Sequence, residues 1–185
     1  MRKKLSIILL ALILVSSLSL SAAAKPSVFN FDIMNYFKLG EIAAQDFTGY
    51  TPGVRMQVNI TRWFGLSTEV MCPLPADFAV GPYDATLTTD LVLRLPLGFF
   101  EPFLALGPAY KLSFDPVAGI VDLDPTVHYN VRTGFDINFN SWLALGFEAK
   151  LPLYDLDALF ADLTVVDGPW LMANTYVGLG LKFKL

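Results

Sequence analysis

The stretch VHYNVRTGFDINF, residues 127–139, alternates apolar and polar side chains almost without a break. Val127, Tyr129, Val131, Thr133, Phe135, Ile137 and Phe139 fall on one side. His128, Asn130, Arg132, Gly134, Asp136 and Asn138 fall on the other. A strand points successive side chains to opposite faces, so this period of two predicts one strand with two unlike faces. The fold turns on which face meets the solvent, and on what that solvent is.

The same rhythm recurs in seven further segments. They begin with 28–37, where Phe29, Phe31 and Ile33 oppose Asn30 and Asp32, and 54–61, where Val54, Met56, Val58 and Ile60 oppose Arg55, Gln57, Asn59 and Thr61. Segment 64–72 sets Leu66, Thr68 and Val70 against Ser67 and Glu69, and 86–95 sets five leucine or threonine positions against Thr86, Thr88, Asp90 and Arg94. Segment 101–111 alternates Leu104, Leu106 and Tyr110 with Ala105, Gly107, Ala109 and Lys111. After the opening stretch come 142–151, with Glu148 and Lys150 on its polar face, and 171–185, with Lys182 and Lys184 on its polar face. The segments run roughly 8 to 14 residues, against the 9–11 that a tilted membrane strand needs. Their connections alternate. Those at 61–63, 96–100 and 139–141 are short; those at 38–53, 73–85, 112–126 and 152–169 are long and carry most of the Pro and Asp.

Composition explains why such strands would meet lipid. The chain has 185 residues and is 54% hydrophobic, with a mean hydropathy of +0.51. Its first 24 residues are expected to be a cleaved signal peptide: Arg2, Lys3 and Lys4 precede an apolar run that ends in SAAA near Ala24. Removing those three basic residues takes the formal charge from −4 to −7, which disfavours a nucleic-acid partner. The single Cys72 leaves no internal disulfide. Residues 25–185 then form one domain that is rich in apolar residues yet lacks a second long apolar run. Only helices and closed barrels satisfy the backbone inside hydrocarbon, so an all-β, up-and-down antiparallel transmembrane barrel of eight strands is expected.

A soluble barrel would turn its apolar face inward. Two features oppose that. The polar faces mix charges with Gly107, Gly134, Gly146, Gly178, Gly180, Ala105 and Ala144, a combination suited to a narrow lumen filled by side chains. The apolar faces carry essentially no charge, as a lipid-facing surface requires. Aromatic residues gather at the ends: Trp63, Phe64, Phe99, Phe100 and Trp142 near the short turns, and Tyr36, Tyr50, Tyr83, Tyr110, Tyr129, Tyr154 and Trp170 toward the loops. This spacing predicts two interfacial girdles.

The C-terminal YVGLGLKFKL resembles the targeting strand of bacterial outer-membrane barrels, with Gly180 followed by Phe183 and Leu185. A departure from that pattern is the terminal Leu in place of Phe or Trp. EPFLALGPAY at 101–110 is similar to a Pro-aromatic strand common in small barrels of this kind. Taken along residues 25–185, the pattern resembles the small outer-membrane barrel class, including OmpA- and OmpW-like barrel domains. The resemblance implies residence in the cell outer membrane, contact with its lipid, handling by the barrel-assembly machinery, and a monomeric state.

The candidate site is the set of inward charges. Arg55, Arg94, Arg132 and Lys150 nearly balance Asp32, Glu69, Asp90, Asp136 and Glu148, and His128 lies on the same face as Arg132. A selectivity filter shows an excess of one sign, so the balance points to ion pairs filling the lumen. His128 is the only histidine and the natural general base for an embedded acyl hydrolase or acyltransferase, but Ser67 or Ser113 would have to approach from another strand. No catalytic residue, cofactor or metal site is assigned. Aspartates 77, 84, 115, 122, 124, 155, 157, 162 and 167 make an acidic loop rim, and LYDLDALFADLTVV, residues 153–166, alternates apolar residues with Asp, an expected extracellular ligand-binding surface. The expected role is structural or surface-interactive through the loops. The alternatives are a narrow pore or conduit for small solutes, hydrophobic ones among them, and, third, a lipid-modifying enzyme.

Overall fold

The computed structural model describes residues 27–47, 49–74, 83–115, 120–124, 126–153 and 167–185. The expected leader, Tyr154, Asp77, Asp155, Asp157, Asp162 and all but Leu153 of the 153–166 stretch lie outside the described residues. Among the described residues nine strands follow in order: β1 (Phe29–Lys38), β2 (Thr51–Asn59), β3 (Phe64–Met71), β4 (Tyr83–Arg94), β5 (Phe100–Asp115), β6 (Ile120–Leu123), β7 (His128–Asn138), β8 (Leu143–Leu153) and β9 (Tyr176–Lys184). Helix α1 (Leu39–Ala44) follows β1, and α2 (Gly168–Asn174) precedes β9. Among the described residues no helix is long and apolar enough to cross a membrane.

Eight strands close into an antiparallel barrel. The sheet runs β4-β3-β2-β1-β9-β8-β7-β5, and β4 pairs with β5 to complete the ring; β6 is added to the upper part of β5. The registers fix the stagger. A row leaving β5 at Glu101 passes Asp136, Gly146, Gly180, Met34, Gly53, Met71 and Thr86, then returns to β5 at Lys111, ten residues from its start. With about 3.3 Å per residue along a strand and about 4.8 Å between strands, ten residues over eight strands sets a tilt of roughly 40° and a backbone radius of roughly 8 Å. That interior is wide enough for side chains and little more.

The barrel is inverted relative to a soluble domain. Outward Ile33, Val54, Met56, Leu66, Leu91, Leu104, Leu106, Leu179 and Leu181 are each 44–55% exposed. The largest fully buried side chains include Arg55, Arg132, Tyr36 and Lys150. An apolar exterior around a charged interior is the arrangement that hydrocarbon selects, because lipid solvates the exterior and the ring of backbone hydrogen bonds leaves no edge.

Three expectations need correction. The last strand starts at Tyr176, not at 171: Pro169 stands in the first turn of α2 and the Asp167 carboxylate accepts from the Trp170 N–H, so a capped helix takes residues 168–174. Tyr36 does not belong to a girdle. It shares the inward parity of Asn30 and Asp32 and is fully buried in the lumen. The 112–126 connection is not all loop, since Leu112–Asp115 pairs with Ile120–Leu123 as a hairpin above the barrel. The turn-side girdle matches the expectation, with Phe64, Phe99 and Trp142 exposed there.

Candidate functional site

Strand parity delivers the charges to one place. Asp32, Arg55, Glu69, Asp90, Arg94, His128, Arg132, Asp136, Glu148 and Lys150 are all buried, on six different strands. Arg55 is the hub: its guanidinium donates to Glu148 (2.6 Å), Glu69 (3.0 Å), Asp32 (3.3 Å) and the Tyr36 hydroxyl (2.6 Å). Arg132 reaches Glu148 (3.1 Å) and Asp90 (3.2 Å) and donates to the Ser67 hydroxyl (2.9 Å). Glu148 therefore bridges the two guanidinium groups, tying β2 to β7 through β8. Lys150 donates to Glu69 (2.7 Å) and to the Met71 sulfur (2.8 Å). Asn130 adds a bond to Asp90 (3.0 Å).

Local sequence makes room for these groups. A Cβ on Gly178 would lie 2.4 Å from the Tyr36 ring, and one on Gly53 would lie 2.9 Å from it. The two glycines face the same ring from neighbouring strands, so Tyr36 can lie in the lumen with its hydroxyl against Arg55, Glu69 and Glu148. Gly107 answers a different need, because a Cβ there would meet the Thr89 carbonyl oxygen at 1.9 Å.

Lys182 was missing from the inward set read from the sequence. It is buried on β9, pairs with Asp136 and lies 3.6 Å from Asp32. Its parity with Gly178 and Gly180 was the available signal. With it the buried charges among the described residues stand at five cations, Arg55, Arg94, Arg132, Lys150 and Lys182, against five carboxylates. Below it Lys184 meets Glu101 (3.3 Å).

Two members lie toward the ends of the barrel. Arg94 is buried at the turn end of β4, but among the described residues no carboxylate forms an ion pair with it. His128 sits at the loop end of β7, 3.6 Å from Asp124. The Thr126 N–H (2.9 Å) holds the Asp124 carboxyl below the usual carboxylate range. Ser67 on β3, one of the two serines either of which His128 would need, is engaged by Arg132 of β7. Among the described residues no group of three or more His, Cys, Asp or Glu is placed to hold a metal.

At the loop end the lumen opens. Asp84, Thr86, Lys111, Ser113, Asp122 and Asp124 line a basin of about 550 Å³. Beneath it, between Thr51, Thr86, Thr88, Met71 and Lys150, lies a cavity of about 20 Å³, room for a single water. Next to Lys150, the side chains of Arg55, Glu69, Arg132 and Glu148 are all buried in the lumen. Helices α1 and α2 pack together at this end, where the Leu39 N–H donates to the Thr175 carbonyl (2.8 Å).

The closed antiparallel ring has counterparts among solved structures. The N-terminal β-barrel domain of Pseudomonas aeruginosa OprF superposes with a TM-score of 0.61 over 86% of this chain and 98% of that one, at 9% identity. The fold is that of the small outer-membrane barrels. A de novo designed transmembrane β-barrel matches at a TM-score of 0.51, 13% identity, over 87% of this chain and 98% of the design. Neisserial surface protein A matches at 0.48 and 9% identity, over 85% of this chain and 94% of that one. No protein-family model matches the sequence, and no curated protein does. At these identities the likeness is one of fold alone.

Proposed function

We propose that this chain is an integral protein of the cell outer membrane, delivered by a leader cleaved near Ala24, whose barrel is sealed by its own lumen. Its role is structural and surface-interactive, exercised at the loop end. The observation that carries this reading is the layer in which Arg55 and Arg132 are joined through Glu148, with Glu69, Asp90 and Tyr36 around them. A side-chain layer of that kind leaves no continuous aqueous path across a barrel of eight strands. Its five-to-five balance also lacks the excess of one sign that a filter needs. The basin above it supplies a surface of ligand-pocket size, open on the loop side.

The test is electrical. Purified, folded protein reconstituted in planar bilayers is expected to show no stepwise conductance. Reproducible unitary steps would transfer the assignment to the narrow-pore reading. If the pore is closed, deleting the β5–β6 hairpin should abolish loop-mediated surface binding while leaving the barrel folded. An enzyme would show itself as an altered lipid A mass that His128→Ala removes.

A further inference from the structure

The hairpin of β5 and β6, together with the end of β4, forms a three-stranded wing that outgrows the rest of the barrel. β7 ends at His128, opposite Ala109, whereas β5 continues for six more residues to Asp115. At the barrel's tilt those six residues lift the wing about 15 Å above the neighbouring strand. An extracellular hairpin standing in water would be polar on both faces. This one is not. Tyr83, Ala85, Leu112, Phe114, Val121 and Leu123 share the outward parity and include no charge. Phe114, Val121 and Leu123 are exposed there by 43%, 65% and 52%. Asp84, Thr86, Lys111, Ser113 and Asp122 take the alternate positions and line the basin, which Ala85, Leu112 and Leu123 border as well.

We infer that the outward face of the wing is a lipid-contacting surface, covered by acyl chains of the outer leaflet. The ground is continuity. Leu104 and Leu106 of the apolar belt lie on the same strand and the same face as Leu112 and Phe114, with Tyr110 between them and no charged residue interrupting the series. A solvent boundary would interrupt that alternation, and the β5 sequence shows no interruption before Asp115. The membrane therefore reaches higher against the β4–β6 side than against the β1–β9 side, where the strands stop at Lys38 and Tyr176. The wing is then a partition with lipid on one side and the basin on the other.

This inference rests on the membrane-barrel reading, and the test separates the two. Val121→Trp, Asp122→Trp and Leu66→Trp are placed singly in a full-length chain whose Trp63, Trp142 and Trp170 are replaced by Phe. Each is folded into phosphatidylcholine vesicles with brominated acyl chains. Val121→Trp should lose most of its emission to the bromolipid, as Leu66→Trp does, while Asp122→Trp is quenched by aqueous iodide instead. Iodide quenching of Val121→Trp at the level of Asp122→Trp would overturn the inference, leaving the belt intact. Protection of Val121→Trp from both quenchers would overturn it too, since protein would then cover the wing. A Leu66→Trp probe that ignores the bromolipid would sink the barrel reading itself.

Discussion

Arg132 shows what the lumen asks of a single side chain. It is 1% exposed and serves Glu148, Asp90 and Ser67. Truncating one partner of a buried network leaves the others charged and unpaired, which costs about 3–5 kcal/mol. Arg132→Ala is therefore expected to lower the unfolding free energy of the protein in vesicles by that order, with a lower urea midpoint read by tryptophan fluorescence. An unchanged midpoint would mean that water already solvates the lumen. Gly178→Val makes a second test, because its side chain would occupy the Tyr36 ring position. The ring must then leave the Arg55 cluster, and thermal stability should drop; Gly168→Val, which meets nothing within 4 Å, should be close to neutral. Tyr36 was also the residue hardest to read in the sequence. An aromatic near a strand end fits a girdle equally well, and only the register shows that Gly53 and Gly178 flank it.

Within an element, parity decides tolerance. On β5, Leu106 is 55% exposed to the outside while Ala105 is buried against the lumen. Leu106→Arg near the membrane midplane should cost about 2–4 kcal/mol of folding free energy, whereas an exposed polar change in the turns, such as Asn140→Asp, should cost far less. Equal effects on urea titration would contradict the assignment of faces. The period of two was legible in every barrel strand because lipid outside and charge inside both demand it. Element ends were less legible. Leu171 and Met172 extend an apolar run into β9, yet Asp167 and Pro169 cap a helix there; that signature was present but outweighed by the run. The β5–β6 hairpin was hidden for another reason: its four-residue strand is too short to show a period of its own.

At the scale of the whole molecule, closure is what makes the parts consistent. Eight strands with a stagger of ten leave no free edge in the ring, and the ion pairs connect β1, β2, β3, β4, β7, β8 and β9 across its centre. Such a barrel should unfold as a unit and resist detergent until heated, so unboiled and boiled samples should migrate differently on detergent gels. The fold class could be reached from composition and alternation alone. The wiring of the lumen could not, because ion-pair partners lie as far apart in sequence as Arg55 and Glu148, and only the register brings them together. Alternation on each strand between a lipid-facing side and a buried, charged interior underlies these features. Its most direct test is a cysteine scan of residues 127–139 in a Cys72→Ser background, with each site spin-labelled in vesicles and its collisions with oxygen and with a water-soluble nickel chelate recorded. Val131, Thr133, Phe135 and Ile137 should be open to oxygen and closed to nickel, while Asn130, Arg132, Gly134 and Asp136 should be shielded from both. Nickel reaching the even-numbered sites, or an accessibility without a period of two, would contradict it.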